Sequence, residues 1–88
     1  MFDEIDAEVK DKQHWVRNAK PGDKITYALG LCLSDTKLNN KIGQLFWRFH
    51  KENLVHLFQI KHKHGGENSY FEYIAVRKST PIKESWNI

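Results

Sequence analysis

The stretch KLNNKIGQLFWRFHKEN, Lys37 to Asn53, decides how the chain folds. Leu38, Ile42, Leu45 and Phe49 recur at i, i+4, i+7 and i+11, the period of a helix with one apolar stripe. At 100° per residue Trp47 projects from the opposite side, beside Asn40 and Lys51. A helix that buries its leucine and phenylalanine side therefore turns a tryptophan away from it, either to solvent or beneath the first helix or the C-terminal tail. Ser34, Asp35 and Thr36 supply candidate N-caps, and Asn53 can take the left-handed conformation that ends a helix.

Upstream, DKITYALGLCLSD (Asp23–Asp35) alternates as a strand. Ile25, Tyr27, Leu29, Leu31 and Leu33 share one expected face, and Thr26, Ala28, Gly30 and Cys32 the other. The second face is small rather than polar, which leaves room for an element packed close against it. Cys32, in mid-strand on that face, reads as inert packing. Before the strand, residues 3–19 predict a first helix with a stripe of Phe2, Ile5, Val9, Trp15, Val16 and Ala19. Its acids come first and Arg17 and Lys20 last, which complements the helix dipole. Pro21-Gly22 stops it.

Downstream, LVHLFQIKHKHGGENSYFEYIAVRKS (Leu54–Ser79) predicts a β-hairpin around the loop His64–Asn68. A loop of two or four residues puts Phe58 and Ile60 on one face with Phe71, Tyr73 and Ala75. Val55 and Leu57 then share the other face with Ile74 and Val76. The base is apolar on both faces, and the tip carries Lys61, His62, Lys63 and His64. The expected architecture is α+β, in the order α-β-α-β-β, with two helices covering a small three-stranded antiparallel sheet. Residues 1–80 form one compact domain, and 81–88 a tail whose Ile82 and Trp86 can dock on the body.

Composition narrows the class. An apolar content of 40% with five Phe, three Tyr and three Trp describes a globular chain, not a disordered one. A single cysteine forbids an intrachain disulfide and fits a reducing, cytoplasmic setting. No apolar run reaches membrane-spanning length, and the N-terminus is acidic, unlike a signal peptide. Charge is uneven. Residues 1–36 hold seven acids and five bases, a balance of −2. Residues 37–88 hold nine bases and four acids, a balance of +5. The positive field lies in the second half and favours an anionic partner there.

The run FWRFHKENLVHLFQIKHKHGGENSYFEYIAVR, with ITYALGLCLSD before it, resembles the C-terminal half of winged-helix domains. The resemblance implies that the helix before the hairpin enters a DNA groove and that the hairpin loop, the wing, touches backbone. The segment between Thr36 and Asn53 has room for one helix where that family has two, so the implied fold is a reduced, winged-helix-like variant. GDKITYALG, LVHLFQ and FEYIAVRK are also similar to small phage and prophage proteins.

The candidate nucleic-acid contacts follow from the helix. Lys37, Lys41, Gln44, Arg48 and Lys51 step by 4, 3, 4 and 3 into a ridge adjoining Asn40 and Trp47. Cations neutralise phosphates, amides and guanidinium read base edges, and an indole stacks on a base or sugar. Lys61, Lys63 and His64 at the hairpin tip are the second group. The competing reading of each is a solvated charged surface. His62 and His64 form H-x-H, a weak metal signature without a second cysteine or an acid in register, so neither metal nor cofactor is expected. No phosphate loop or catalytic triad order stands out, so no enzyme is expected. Two function classes lead, and a structural subunit of a larger assembly stays open as a third. One is a small DNA-binding accessory or regulatory protein of a phage or mobile element, helped by a homodimer or partner. The other is a modulator or inhibitor of a host protein, with Trp47 as interface anchor.

Overall fold

The computed structural model describes residues 4–30, 36–64 and 68–83, without the side chains of residues 63–64 and 68–69. Helix α1 (Glu4–Asn18), strand β1 (Lys24–Gly30), helix α2 (Lys37–Lys51) and strands β2 (Val55–His64) and β3 (Asn68–Arg77) follow in that order. The α-β-α-β-β expectation holds, and the strands form one antiparallel sheet of order β1-β3-β2. Leu31, Cys32, Leu33, Ser34, Asp35, Phe2 and Trp86 lie outside the described residues.

Local chemistry sets the boundaries. Thr36 caps α2, its hydroxyl accepting from the Asn39 backbone N–H at 3.0 Å. Asn53 ends the turn after α2 with φ 64°, the left-handed conformation asparagine tolerates. Gly22, at φ 93°, makes the turn after α1 and donates its N–H to the Arg77 carbonyl at 2.8 Å.

Both helices lie on one face of the sheet. Phe46 of α2 stacks on Tyr27 with ring centroids 4.4 Å apart and meets Phe49 edge-on at 5.0 Å. Ile42, Val16, Ala28, Leu54, Val55, Tyr73 and Ala75 complete the buried cluster, and Ile82 packs against it. Phe46, absent from the four-residue stripe, is fully buried, because it stands only 40° from Ile42 around the helix.

Two expectations about faces are corrected. His64 pairs with Asn68, so three residues, 65–67, separate the hairpin strands. An odd loop reverses the assumed parity. Val55, Leu57, Gln59 and Lys61 sit opposite Arg77, Ala75, Tyr73 and Phe71, on the helix-bearing face. Phe58 and Ile60 sit opposite Ile74 and Glu72, on the other face. In β1 the register slips between Thr26 and Ala28, so Tyr27 is an extra, bulged residue. Tyr27 and Ala28 are consequently both buried, and Leu29 turns outward to 55% exposure. The helices therefore cover one side of the sheet, not both.

Arg77 sits in the helix-bearing core, 7% exposed. Its Nε donates to the Val16 carbonyl at 2.8 Å, and its Nη1 to the carbonyls of Leu54, Lys78 and Thr80 at 3.2, 2.7 and 3.0 Å. One guanidinium thus ties the end of α1 to the α2–β2 turn and to the start of the tail. Burial pulls its pKa below the ordinary arginine value.

Candidate nucleic-acid interface

α2 is the element that positions the candidate contacts. Its start is held by the Thr36 cap and by Asn39 Nδ2, which donates to the Leu29 carbonyl at 3.0 Å. Its end is held by backbone bonds from Glu52 to Arg48, Asn53 to His50 and Leu54 to Phe49, all within 3.0 Å. Between them Ile42, Gly43, Phe46 and Phe49 are buried on the sheet. That anchoring fixes the rotation of the helix, and the opposite arc is turned outward.

Lys37, Asn40, Lys41, Gln44, Trp47, Arg48 and Lys51 are all exposed on this arc. Trp47 is 54% exposed, its ring 5.3 Å from that of His50. On the β2 side, Trp47, Gly43, Tyr27 and Leu57 line a shallow, mainly apolar groove of about 300 Å³, with Asn40 and Gln44 on its rim. The two amides are coupled, Gln44 Nε2 to Asn40 Oδ1 at 3.4 Å. On the α1 side, Lys41 and Arg48 face Val9 and Gln13 across a second groove of about 300 Å³.

The electrostatics of α2 are one-sided. Lys37, Lys41, Arg48 and Lys51 are its formal charges, and it carries no acid, not even in its first turn. None of the four has an ion-pair partner among the described residues. Lys37, in the first turn, opposes the helix dipole, whereas Arg48 and Lys51, in the last turn, complement it. The placement of Lys37 thus has no rationale in holding the helix together.

The hairpin candidates are only partly brought to this surface. Lys61 is exposed and, by register, on the helix-bearing face with α2. Lys63 and His64 end β2, and their side chains lie outside the described part. His62 points to the other face, stacked on Tyr70 with centroids 5.0 Å apart. Its Nε2 lies 2.9 Å from Glu72 Oε1, and Glu72 Oε2 accepts from the Thr26 hydroxyl at 2.5 Å. The carboxylate is the centre of this group, and the network ties three strands together. The Thr26 bond, and then His62, hold the Glu72 carboxyl below its ordinary value. Among the described residues no three His, Cys, Asp or Glu side chains gather as a metal site. No described helix is long and apolar enough to cross a membrane.

Sequence reasoning missed the second uncovered surface, where Leu29, Phe58 and Ile60 emerge. The bulge and the odd loop put them there, and neither has a residue signature in HGGEN or TYALG strong enough to fix the count.

Comparison with protein-family models, curated proteins and solved structures returns no match. The reading of this surface therefore rests on its own geometry.

Proposed function

We propose that the chain is a non-enzymatic DNA-binding accessory protein, with α2 laid against the nucleic acid and Lys61 on the hairpin as an outlying phosphate contact. The observation that carries this reading is the acid-free helix face, with four exposed cations lacking partners among the described residues. Phosphates would supply the missing counter-charge, and the amides of Asn40 and Gln44 beside Trp47 offer base-edge hydrogen bonds and stacking next to the cations. The test is fluorescence anisotropy of a labelled oligonucleotide with the Lys41→Glu/Arg48→Glu variant. Binding is expected to vanish while the circular dichroism spectrum stays native. A folded double variant that binds as the parent does refutes the assignment.

A second reading, a modulator that docks on another protein, is favoured by the exposure of Trp47 above the apolar Leu57 groove. Capture from lysate separates the two. A partner that remains after nuclease treatment, and is lost in Trp47→Ala, supports protein docking over DNA.

A further inference from the structure

The sheet face away from the helices has an unusual composition. Register arranges it in rows: Lys24–Val76–His56, then Thr26–Ile74–Phe58, then Leu29–Glu72–Ile60, then Tyr70–His62. An antiparallel sheet with one wet face ordinarily turns polar residues to water. Here Phe58, Ile60, Ile74 and Val76 adjoin as an apolar field, with Leu29 across Glu72 from Ile60, and Leu29, Phe58 and Ile60 are exposed by 55%, 52% and 45%. A depression of about 410 Å³ opens between Phe58, Ile60, Ile74 and Val76, with Lys24, His56 and Gln59 also lining it. Nothing among the described residues covers this field.

The one carboxylate within it is already prepared for cover. Both oxygens of Glu72 are engaged, one by Thr26 and one by His62. A surface laid over them would strand no unpaired acceptor.

We propose that the cover is a second copy of this chain, packed sheet on sheet about a two-fold axis. Three properties of the face favour a copy of itself. Its formal charges are one Lys24 and one Glu72, so it opposes itself with no net repulsion, while the uncompensated cations of α2 lie on the far side. An axis running across the strands between the second and third rows sets Phe58 on the partner's Ile60 and Thr26 on the partner's Leu29. It also lays the Lys24–Val76–His56 row on the partner's Tyr70–His62 row and Glu72 on the partner's Ile74. The size is that of a weak, reversible interface. Three strands about 4.8 Å apart and four rows about 7 Å apart give a planar footprint of about 400 Å². Side-chain relief raises this toward the roughly 600 Å² per partner at the lower end of specific interfaces.

The consequence is a four-layer sandwich of helices, two sheets about 10 Å apart, and helices again. The two α2 ridges then face opposite ways, on the outside. The dimer is independent of the DNA reading, and if both hold it presents ridges to two separate nucleic-acid segments.

Sedimentation equilibrium on the purified chain without nucleic acid tests this. A concentration-dependent monomer–dimer equilibrium in the micromolar range is expected. Phe58→Glu and, separately, Ile60→Glu should weaken it at least about tenfold, because each buries a carboxylate against an apolar mate. Both positions are exposed in the monomer, so the thermal midpoint of each diluted variant should stay near that of the parent. A control substitution on the helix layer, Ala7→Glu at an exposed position of α1, should leave the equilibrium unchanged. A chain that stays monomeric at near-millimolar concentration overturns the proposal. So does a dimer that both glutamate variants leave intact.

Discussion

Removing two charges from α2 gives the most quantitative check on the DNA reading. If Lys37, Lys41, Arg48 and Lys51 each neutralise one phosphate, the logarithm of the binding constant falls with the logarithm of salt concentration at a slope of about −3.6. Raising salt from about 50 to about 200 mM then weakens binding by about 150-fold. Adding a contact from Lys61 steepens the slope to about −4.5. In the neutral variant Lys41→Gln/Arg48→Gln two contacts go, the four-contact slope relaxes to about −1.8, and the same salt step costs only about 12-fold. Neither residue has a salt bridge among the described residues, and both are exposed, so stability should move by no more than about 0.5 kcal/mol. Lys20, on the turn after α1, is the control, and Lys20→Gln should leave the slope at its parental value. Anisotropy of a labelled duplex across a salt series, repeated for a single strand, reads the slopes directly. A parental slope shallower than about −1, or a double variant as steep as the parent, refutes the ridge as the phosphate-binding element.

Two further predictions concern what holds the platform beneath α2. Arg77→Met keeps most of the side-chain volume but removes the donors to Val16, Leu54, Lys78 and Thr80. The expected loss is about 2–4 kcal/mol, which lowers the melting midpoint of a domain this small by roughly 10–25 °C. Arg77→Lys should recover little of it, because an ammonium cannot span the same carbonyls. A thermal melt within a few degrees of the parent would contradict this role. Glu72 gives a pH signature. Its folded-state pKa is depressed by the Thr26 and His62 bonds, so its contribution is present above the ordinary carboxylate value and is lost as pH falls through the lowered folded value. Urea midpoints of the parent should therefore decline on acidification below about pH 4.5 more steeply than those of Glu72→Gln. Parallel acid profiles would show that the three-strand network adds nothing to stability.

The contrast between what the residues announce and what they conceal has a physical origin. Element order is legible because its signals are local. Pro21-Gly22 removes a helical hydrogen bond and supplies a positive φ, Thr36 offers a hydroxyl to an orphan N–H, and Asn53 tolerates the left-handed conformation. The outward rotation of Trp47 is legible too, since a 3.6-residue period fixes every side chain once Ile42 and Phe49 are placed on the core. Strand faces are different. Side chains alternate with period two, so one added residue reverses everything beyond it. The register of β1 adds such a residue at Tyr27, and the pairing of His64 with Asn68 leaves an odd count between β2 and β3. At Tyr27 the ring is held by its stack on Phe46, which is 19 residues away in sequence. The bulge that admits Tyr27 also brings Ala28 inward, where a small side chain fits beneath the helices, and sends Leu29 out. The same core demand thus seats α2 and exposes Leu29 on the far face, while the odd count between β2 and β3 sets the face of Phe58 and Ile60. The anchor of the basic ridge and the exposure of Leu29 belong to one packing solution. Substituting Tyr27 should therefore disturb both surfaces together, whereas Phe58→Glu and Arg48→Gln should each disturb only one.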